Sequence, residues 1–188
     1  QKSWKEGSLS SPPSQLPAWD GAGEDPLEEV LDPSPEDPHL RIGDVVFLRT
    51  FRGTYIDIED KDVQNRWASK GEWQQITICS ASGGVHGSSR EKSSGLQDGE
   101  VVRLLAHTGH FLSVKEHRIR ALPSSRSGPD ESTEFVLRIR SAGSLRHRSV
   151  VSLQSNTTKC VVNADISHDD VCARWTDYGD WQRIVGEK

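Results

Sequence analysis

The sequence predicts an all-β fold, specifically a β-trefoil of three pseudo-repeats preceded by a mostly disordered, acidic, proline-rich tail. The first observation is a long internal match, because residues 65–76 recur as residues 174–184 with Arg-Trp, a short turn, Gly, an acid and Trp-Gln in register. The second is a series of short β-branched runs between turns, which is typical of strands. The third is that the strand-opening pattern occurs three times, and such a repeat sets the architecture.

The composition of the chain excludes some classes of function. The chain has 188 residues, a hydrophobic content of 33% and a formal net charge of −5. This length suits one domain with a tail, and the absence of a basic tract argues against nucleic-acid binding. No apolar run is long enough to span a membrane. The chain begins with Gln1 and contains no methionine, which indicates a processed or excised chain from which a signal peptide or anchor could have been removed.

Residues 1–40 hold seven of the nine prolines and are predicted to form a flexible acidic tail or stalk. Trp4 and Trp19 within it either pack loosely on the domain or belong to a partner-binding motif. The trefoil is predicted over residues 41–188. Its repeats cover about residues 42–79, 98–140 and 148–187, and residues 80–97 form an exposed Ser/Gly-rich loop insertion.

Each predicted repeat opens on a strand at Val45, Val101 or Val150, and these valines lie 56 and then 49 residues apart. A returning strand carries a bulky residue ten positions later, and each unit closes on an aromatic residue. Units this small cannot bury their own faces, so we expect three-fold closure into a shared barrel, with a β-sandwich as the alternative. The predicted core anchors are Tyr55, Trp73, Phe111, Phe135 and Trp181, with Cys160 in the third unit in the place of Tyr55 and Phe111.

These repeats resemble the fascin-like β-trefoil family. The resemblance rests on residues 53–56, which read Gly-Thr-Tyr-Ile, on residues 64–66 and 71–76, and on residues 179–184. It covers about residues 42–187, and the middle repeat keeps only the outline. The resemblance implies a trefoil and admits a cytosolic actin- or cytoskeleton-binding module.

Candidate ligand-binding residues are Arg66, Trp67, Arg174 and Trp175, which occupy matching positions in the first and third repeats. An exposed aromatic ring beside a charge could stack on a sugar face. The alternative is structural, with each guanidinium packing under the following turn and pairing with Glu72 or Asp180.

Cys160 and Cys172 lie on consecutive predicted strands, and a hairpin turning near Ile166 would place them opposite each other. A cross-strand disulfide is then geometrically possible. Cys79 remains as a buried thiol or an interchain partner, and the alternative is three reduced thiols. Asn156-Thr157-Thr158 is an N-glycosylation sequon.

No enzyme motif is present, and we predict neither catalysis nor a cofactor. His107, His110 and His117 invite a metal interpretation, but a solvated loop explains them better, so no metal is predicted. A basic cluster between the second and third repeats could meet an acidic partner, although a solvated loop is the stronger interpretation. It comprises Arg138, Arg140, Arg146, His147 and Arg148.

The function predicted from these features is a non-enzymatic recognition module, extracellular or luminal, that binds a glycan or a protein receptor through its loops. The alternatives are the cytosolic actin-binding module of the resemblance and a trefoil cytokine or growth-factor-like ligand. The sequence does not fix the ligand or the oligomeric state, since fold alone does not determine function.

Overall fold

A computed structural model describes residues 38–81, 95–123, 130–140, 143–164 and 169–188. These residues form twelve antiparallel strands and three short 3-10 helices, so the prediction of an all-β fold is confirmed. The strands are β1 Val45–Thr50, β2 Tyr55–Glu59, β3 Asp62–Trp67, β4 Ile76–Ser80, β5 Val101–Ala106, β6 Phe111–Lys115, β7 Arg118–Leu122, β8 Glu134–Ile139, β9 Val150–Ser155, β10 Val161–Ala164, β11 Val171–Trp175 and β12 Ile184–Glu187. The 3-10 helices are Glu72–Gln74, Glu131–Thr133 and Asp180–Gln182. Within these ranges, no helix is long and apolar enough to cross a membrane.

Six strands close into a barrel. β1 pairs with β4, β4 with β5, β5 with β8, β8 with β9, β9 with β12, and β12 returns to β1. Closure satisfies both edges of every strand in the ring, so this part of the sheet has no free edge.

The other six strands form three hairpins at one end of this barrel: β2–β3, β6–β7 and β10–β11. Their second strands meet, since β7 pairs with both β3 and β11, and an isolated bridge joins Gln64 of β3 to Asp170, the residue before β11. Three backbone hydrogen bonds run around this junction, which we call the hairpin ring. They are Asn65 N to Asp169 O, Ala121 N to Lys61 O and Ala173 N to His117 O.

Three leucines form a second ring, which we call the leucine ring. Leu40 N donates to Leu145 O at 2.9 Å, Leu145 N to Leu96 O at 2.7 Å, and Leu96 N to Leu40 O at 2.9 Å. Each leucine is buried and precedes the first residue of β1, β5 or β9 by five positions. The folded body therefore includes residues 38–40, which were assigned to the tail. Residues 1–37, with Trp4 and Trp19, and residues 82–94 of the predicted insertion lie outside the described ranges.

The prediction that Trp73 and Trp181 anchor the core is wrong. Their side chains are 44% and 46% exposed, whereas Phe135 is fully buried. Each tryptophan is the middle residue of a 3-10 helix, in which successive side chains point about 120° apart. In both helices the following glutamine is the buried residue instead.

The residues that share the position of Phe135 are Ile76 and Ile184, each two places after its 3-10 helix. Both are buried in the same apolar cluster as Phe135. The prediction that Trp73 and Trp181 are the counterparts of Phe135 is therefore wrong, and Ile76 and Ile184 take that position. Tyr55 is buried and its hydroxyl donates to Glu187 Oε2 at 3.0 Å, while Phe111 is half-buried.

The third repeat carries one extra residue in the turn after its first strand. Tyr55 lies opposite Arg49 and Phe111 lies opposite Leu105, and the residue in the same register on β10 is Val161, which lies opposite Gln154. The placement of Cys160 as the partner of Tyr55 and Phe111 is thus wrong by one position.

The possible disulfide between Cys160 and Cys172 does not form, and none of the three cysteines is in a disulfide. In the hairpin of β10 and β11, Cys172 lies opposite Asn163 and not opposite Cys160, and Ile166 lies outside the described residues. Cys160 precedes β10 and has no register with Cys172. The Cys172 thiol instead donates to Asn163 Oδ1 at 3.3 Å.

Candidate functional site

Arg66 has a structural role in the first hairpin. Its Nη2 lies 2.6 Å from Asp57 Oδ2 and 2.9 Å from Glu59 Oε2, and Asp57 is fully buried. The hydrogen bond to Asp57 raises the pKa of Arg66. Partial burial acts against this increase, and the hydrogen bond to Glu59 adds to it. Its guanidinium carbon lies 5.8 Å from the Trp67 ring centroid. Glu72 is not its partner, contrary to the alternative proposed from the sequence.

Arg174 has a different environment although it occupies the matching position on β11. Asn163 stands at the register position of Asp57, so the buried carboxylate that holds Arg66 is replaced by a neutral amide. Arg174 is exposed and forms no ion pair with any carboxylate in the described ranges. Asp180, the suggested partner, instead lies 3.5 Å from Arg183.

Among the residues that the structure describes, five large aromatic side chains are exposed, and all belong to the first and third repeats. Trp67 and Trp175, at the ends of β3 and β11, are 49% and 55% exposed. The others are Trp73, Tyr178 and Trp181. The sequence prediction had correctly expected Trp67 and Trp175 near the surface. Exposed aromatic rings of this size offer stacking surfaces for a sugar or an apolar partner.

One of these rings, Tyr178, lines a cavity of about 380 Å³ that we call the Tyr178 groove. The groove lies between β8 of the second repeat and the segment that joins β11 to the third 3-10 helix. Its lining comprises Asp98, Arg138, Ile139, Arg140, Ser152 and Tyr178. The combination of an aromatic ring with hydroxyl, carboxylate and guanidinium groups is typical of sites that orient a polar ligand against an apolar wall.

Hydrogen bonds fix the walls of the Tyr178 groove. Arg140 Nη2 donates to Tyr178 O at 2.6 Å and thereby holds the aromatic segment against β8. The Ile139 amide donates to Asp98 Oδ1 at 2.8 Å, and Arg138 donates to Gln154 Oε1 at 3.3 and 3.4 Å. The groove is therefore built before any ligand arrives, which lowers the entropic cost of binding.

Ser152 gives the groove an unused polar group. The residue is 1% exposed, and its Oγ has no hydrogen-bond partner among the described residues. A buried hydroxyl without a partner is destabilising by about 1–3 kcal/mol. The Oγ has almost no accessible surface in the free protein, so a ligand hydroxyl in the groove could supply the missing hydrogen bond once the Ser152 side chain rotates toward it.

Asn156 of the sequon follows β9 and is half-buried. Its Nδ2 donates to Glu134 Oε2 at 3.0 Å, and its Oδ1 accepts from Lys159 Nζ at 3.2 Å. Attachment of a glycan replaces one of the two Nδ2 hydrogens and leaves one N–H donor, so at most the bond to Glu134 is lost. A single hydrogen bond contributes about 0.5–1.5 kcal/mol, so the modification is compatible with the fold.

Sequence reasoning did not find the Tyr178 groove as a site. It had noted Arg138 and Arg140 only as part of a basic cluster and had not used Tyr178 or Ser152. The one available signal was an aromatic residue in the turn of the third repeat where the first repeat has Lys70. Within the described ranges, no group of three or more His, Cys, Asp or Glu residues is arranged to hold a metal ion.

The sequence matches no protein-family model and no curated protein. Solved structures are similar in fold. An SDF2-like protein from Arabidopsis thaliana has a TM-score of 0.67 and 12% identity, over 80% of this chain and 95% of that one. The Saccharomyces cerevisiae protein O-mannosyltransferase Pmt1-Pmt2 complex bound to the sugar donor has a TM-score of 0.67 and 14% identity, over 84% of this chain and 26% of that one. A Caenorhabditis elegans protein of unknown function has a TM-score of 0.62 and 12% identity, over 84% of this chain and 98% of that one.

The resemblance to the fascin-like family is therefore wrong, because these similar structures are of an SDF2-like protein and a mannosyltransferase complex. The Gly-acid-Trp-Gln motif on which it depended marks an exposed 3-10 helix and does not anchor the core. The fold of this chain is that of a closed antiparallel β-barrel similar to these two proteins.

Proposed function

We propose that this chain is a non-enzymatic recognition module of the lumen or the extracellular space, and that it binds a glycan in the Tyr178 groove. The observation that carries the proposal is the groove itself, which combines a half-exposed aromatic ring with a buried, unpartnered serine hydroxyl. Sugars present apolar C–H faces and hydroxyl groups together, so a ring and a hydroxyl partner in one preformed cavity suit them.

We further propose that the architecture is a β-trefoil. The same set of connections occurs three times. Each repeat contributes two of the six barrel strands, one of the three hairpins, and one donated hydrogen bond to each of the two backbone rings. In such an arrangement the loops at equivalent positions vary independently of the barrel, which allows one loop to build a binding site. The proposal places recognition in the third repeat, where the turn carries Tyr178.

The proposed location draws on two observations. One is the similarity in fold to a chain of a protein O-mannosyltransferase complex, and the other is the sequon at Asn156. Mass spectrometry of the protein purified from its natural source tests it. We expect a glycan on Asn156, and an unmodified Asn156 in every molecule would contradict a secretory location.

The test of glycan binding is a screen on an array of neutral and acidic oligosaccharides, followed by titration of the best binder against ¹⁵N-labelled protein. We expect the Tyr178→Ala variant to bind about tenfold more weakly, because losing a stacking contact of about 1.4 kcal/mol has that effect. Trp67→Ala is the matched control, since it removes another exposed aromatic ring, in the first repeat.

The Ser152→Ala variant separates the two features of the groove. It removes the buried hydroxyl with little change in shape, so we expect weaker binding and slightly greater stability. An array without a binder, or binding that is lost in Trp67→Ala and kept in Tyr178→Ala, would contradict the proposed site. The second result would favour a glycan site at the exposed tryptophans.

A further inference from the structure

The three hairpins surround a second cavity, which we call the axial pit. It has a volume of about 270 Å³ and lies where β3, β7 and β11 meet. Three buried apolar residues at equivalent positions contribute to its lining: Val63, Ile119 and Val171. The residues next to each apolar residue also line the pit. Those before it are Asp62, Arg118 and Asp170, and those after it are Gln64, Arg120 and Cys172. The pit shares no residue with the Tyr178 groove.

Cross-strand pairing decides which charges of the pit are neutralised. Asp62 lies opposite Arg120, and their side chains approach to 3.6 Å. Arg118 lies opposite Cys172, which carries no charge to match it. Asp170 lies opposite Gln64, which is also uncharged.

Arg174 adds another cation to the same pit. It lies two residues beyond Cys172 on β11, so it is a diagonal neighbour of Arg118 on one face of the sheet. Diagonal neighbours are separated by about 7–8 Å at the backbone, which long side chains can span. Neither arginine forms an ion pair with any carboxylate in the described part of the chain.

We propose that the axial pit binds a small monoanionic group, a sulfate ester or a carboxylate, between Arg118 and Arg174. A planar guanidinium donates in a fork that matches the paired oxygens of such groups. Two unmatched arginines and one unmatched aspartate leave the pit with a single net positive charge. The carboxylate of Asp170 therefore disfavours a dianion such as a phosphate monoester at neutral pH.

The probes are glucuronate, glucose 6-sulfate, glucose 6-phosphate and glucose, titrated against ¹⁵N-labelled protein. Glucuronate carries a carboxylate and glucose 6-sulfate carries a sulfate ester, so these two probes represent the two proposed monoanions. Glucose 6-phosphate is largely a dianion, and glucose is neutral. We expect at least one of the two monoanions to cause saturable shifts in amides of β3, β7 and β11, with weaker binding of the phosphate and none of glucose.

Variants then assign the shifts to the pit. We expect Arg118→Gln and Arg174→Gln each to raise the dissociation constant about tenfold, since each removes one charge-assisted contact. Lys115→Gln is the matched control, because it removes an exposed cation of the same hairpin as Arg118 that does not line the pit. Asp170→Asn should tighten binding of the phosphate most, because it removes the repulsion.

The arginines are exposed, so their replacement leaves the core intact, and a thermal melt of each variant verifies the fold. The proposal is overturned if neither monoanion gives saturable shifts at concentrations up to about 50 mM. It is also overturned if binding persists in both arginine variants or if Lys115→Gln weakens it equally. The test does not depend on the Tyr178 groove, which is probed by Tyr178→Ala.

Discussion

Two glutamines show how single residues set the positions of the exposed tryptophans. Gln74 and Gln182 are buried, and each lies against a glycine three positions earlier. A Cβ atom at Gly71 or Gly179 would lie 3.0 Å from the Oε1 of that glutamine. The shared Gly-acid-Trp-Gln motif is therefore explained by close packing of Gln on Gly, which directs the intervening tryptophan outward.

The exposure of these tryptophans leads to a direct test by mutation. We expect Phe135→Ala to lower the free energy of unfolding by about 3–5 kcal/mol, because the ring is fully buried. Trp73→Ala and Trp181→Ala should each cost less than about 1 kcal/mol, since most surface substitutions have small effects. Urea unfolding of the three variants measures the difference. A tryptophan variant as unstable as Phe135→Ala would mean that the tryptophan side chain belongs to the core after all.

Glu187 is a buried carboxylate with two cationic partners. Its carboxylate lies 3.1 Å from Arg49 Nε and 2.8 Å from Lys70 Nζ, and it accepts from the Tyr55 hydroxyl. Burial opposes ionisation of Glu187, but the hydrogen bonds from Lys70 and Tyr55 and the nearby charges outweigh it and lower the pKa of this carboxyl below its ordinary value. Burial, followed by the bond to Glu187, raises the pKa of Tyr55 to about 12.

This environment makes stability depend on pH. A carboxyl group whose pKa is lower in the folded state stabilises the fold above its unfolded pKa and loses that contribution as the pH falls. We expect urea unfolding of Glu187→Gln to show a smaller loss of stability between neutral pH and mild acid than the wild type. Glu72→Gln is the control, because Glu72 is exposed. An unchanged pH dependence in Glu187→Gln would show that its pKa is not lowered.

At the scale of elements, the three hairpins differ at one buried position on their first strands. Asp57, Ser113 and Asn163 occupy it in turn. Asp57 binds Arg66, Ser113 bonds to Ser132 at 2.7 Å, and Asn163 accepts from Cys172. The same backbone therefore holds an ion pair in one hairpin and leaves the matching arginine available to the axial pit in another.

Removing this ion pair should cost stability. In Asp57→Asn the amide cannot neutralise Arg66, and we expect the free energy of unfolding to fall by about 1–3 kcal/mol. Glu59→Gln is the matched change at the exposed partner, and such a pair contributes less than about 1 kcal/mol. Chemical denaturation compares the two, and equal effects would show that burial of Asp57 does not matter.

The elements were also the scale at which the sequence was most informative. Val45, Val101 and Val150 begin β1, β5 and β9 as the alternating pattern predicted. The returning strand of the third repeat was displaced by one residue, because its turn lacks the glycine that has positive φ at Gly53 and Gly109. A longer turn in which Lys159 takes the positive φ replaces it, and spacing alone does not reveal that length.

The whole molecule depends on contacts that join distant segments, and these were the least predictable. The Tyr178 groove brings Arg140 to a residue 38 positions away, and His117 on one hairpin accepts from the backbone of another, 56 positions away. Periodicity identifies which residues face inward but not which loops meet. For this reason the sequence predicted the all-β class and the exposure of Trp67 and Trp175, while both cavities became visible only in the folded chain.

Two rings of backbone hydrogen bonds link all three repeats, and this predicts how the molecule opens. In the leucine ring each repeat donates to one neighbour and accepts from the other, and the hairpin ring has the same cyclic arrangement. No repeat can unfold alone without breaking bonds in both rings. We therefore expect the amides of Leu40, Leu96 and Leu145 to exchange with deuterium only through global unfolding.

Hydrogen exchange followed by NMR, compared with the free energy from urea unfolding, measures this. The protected leucine amides should give the global value, as should Ala121 and Ala173 in the hairpin ring. The Gln97 amide is the internal control, because its acceptor is the side chain of Glu100 at an exposed turn, and it should exchange much faster. A lower protection of Leu40 and Leu145 than of Leu96 would mean that the third repeat opens separately, because only the Leu96 bond has no partner in that repeat, and this would contradict a single cooperative barrel.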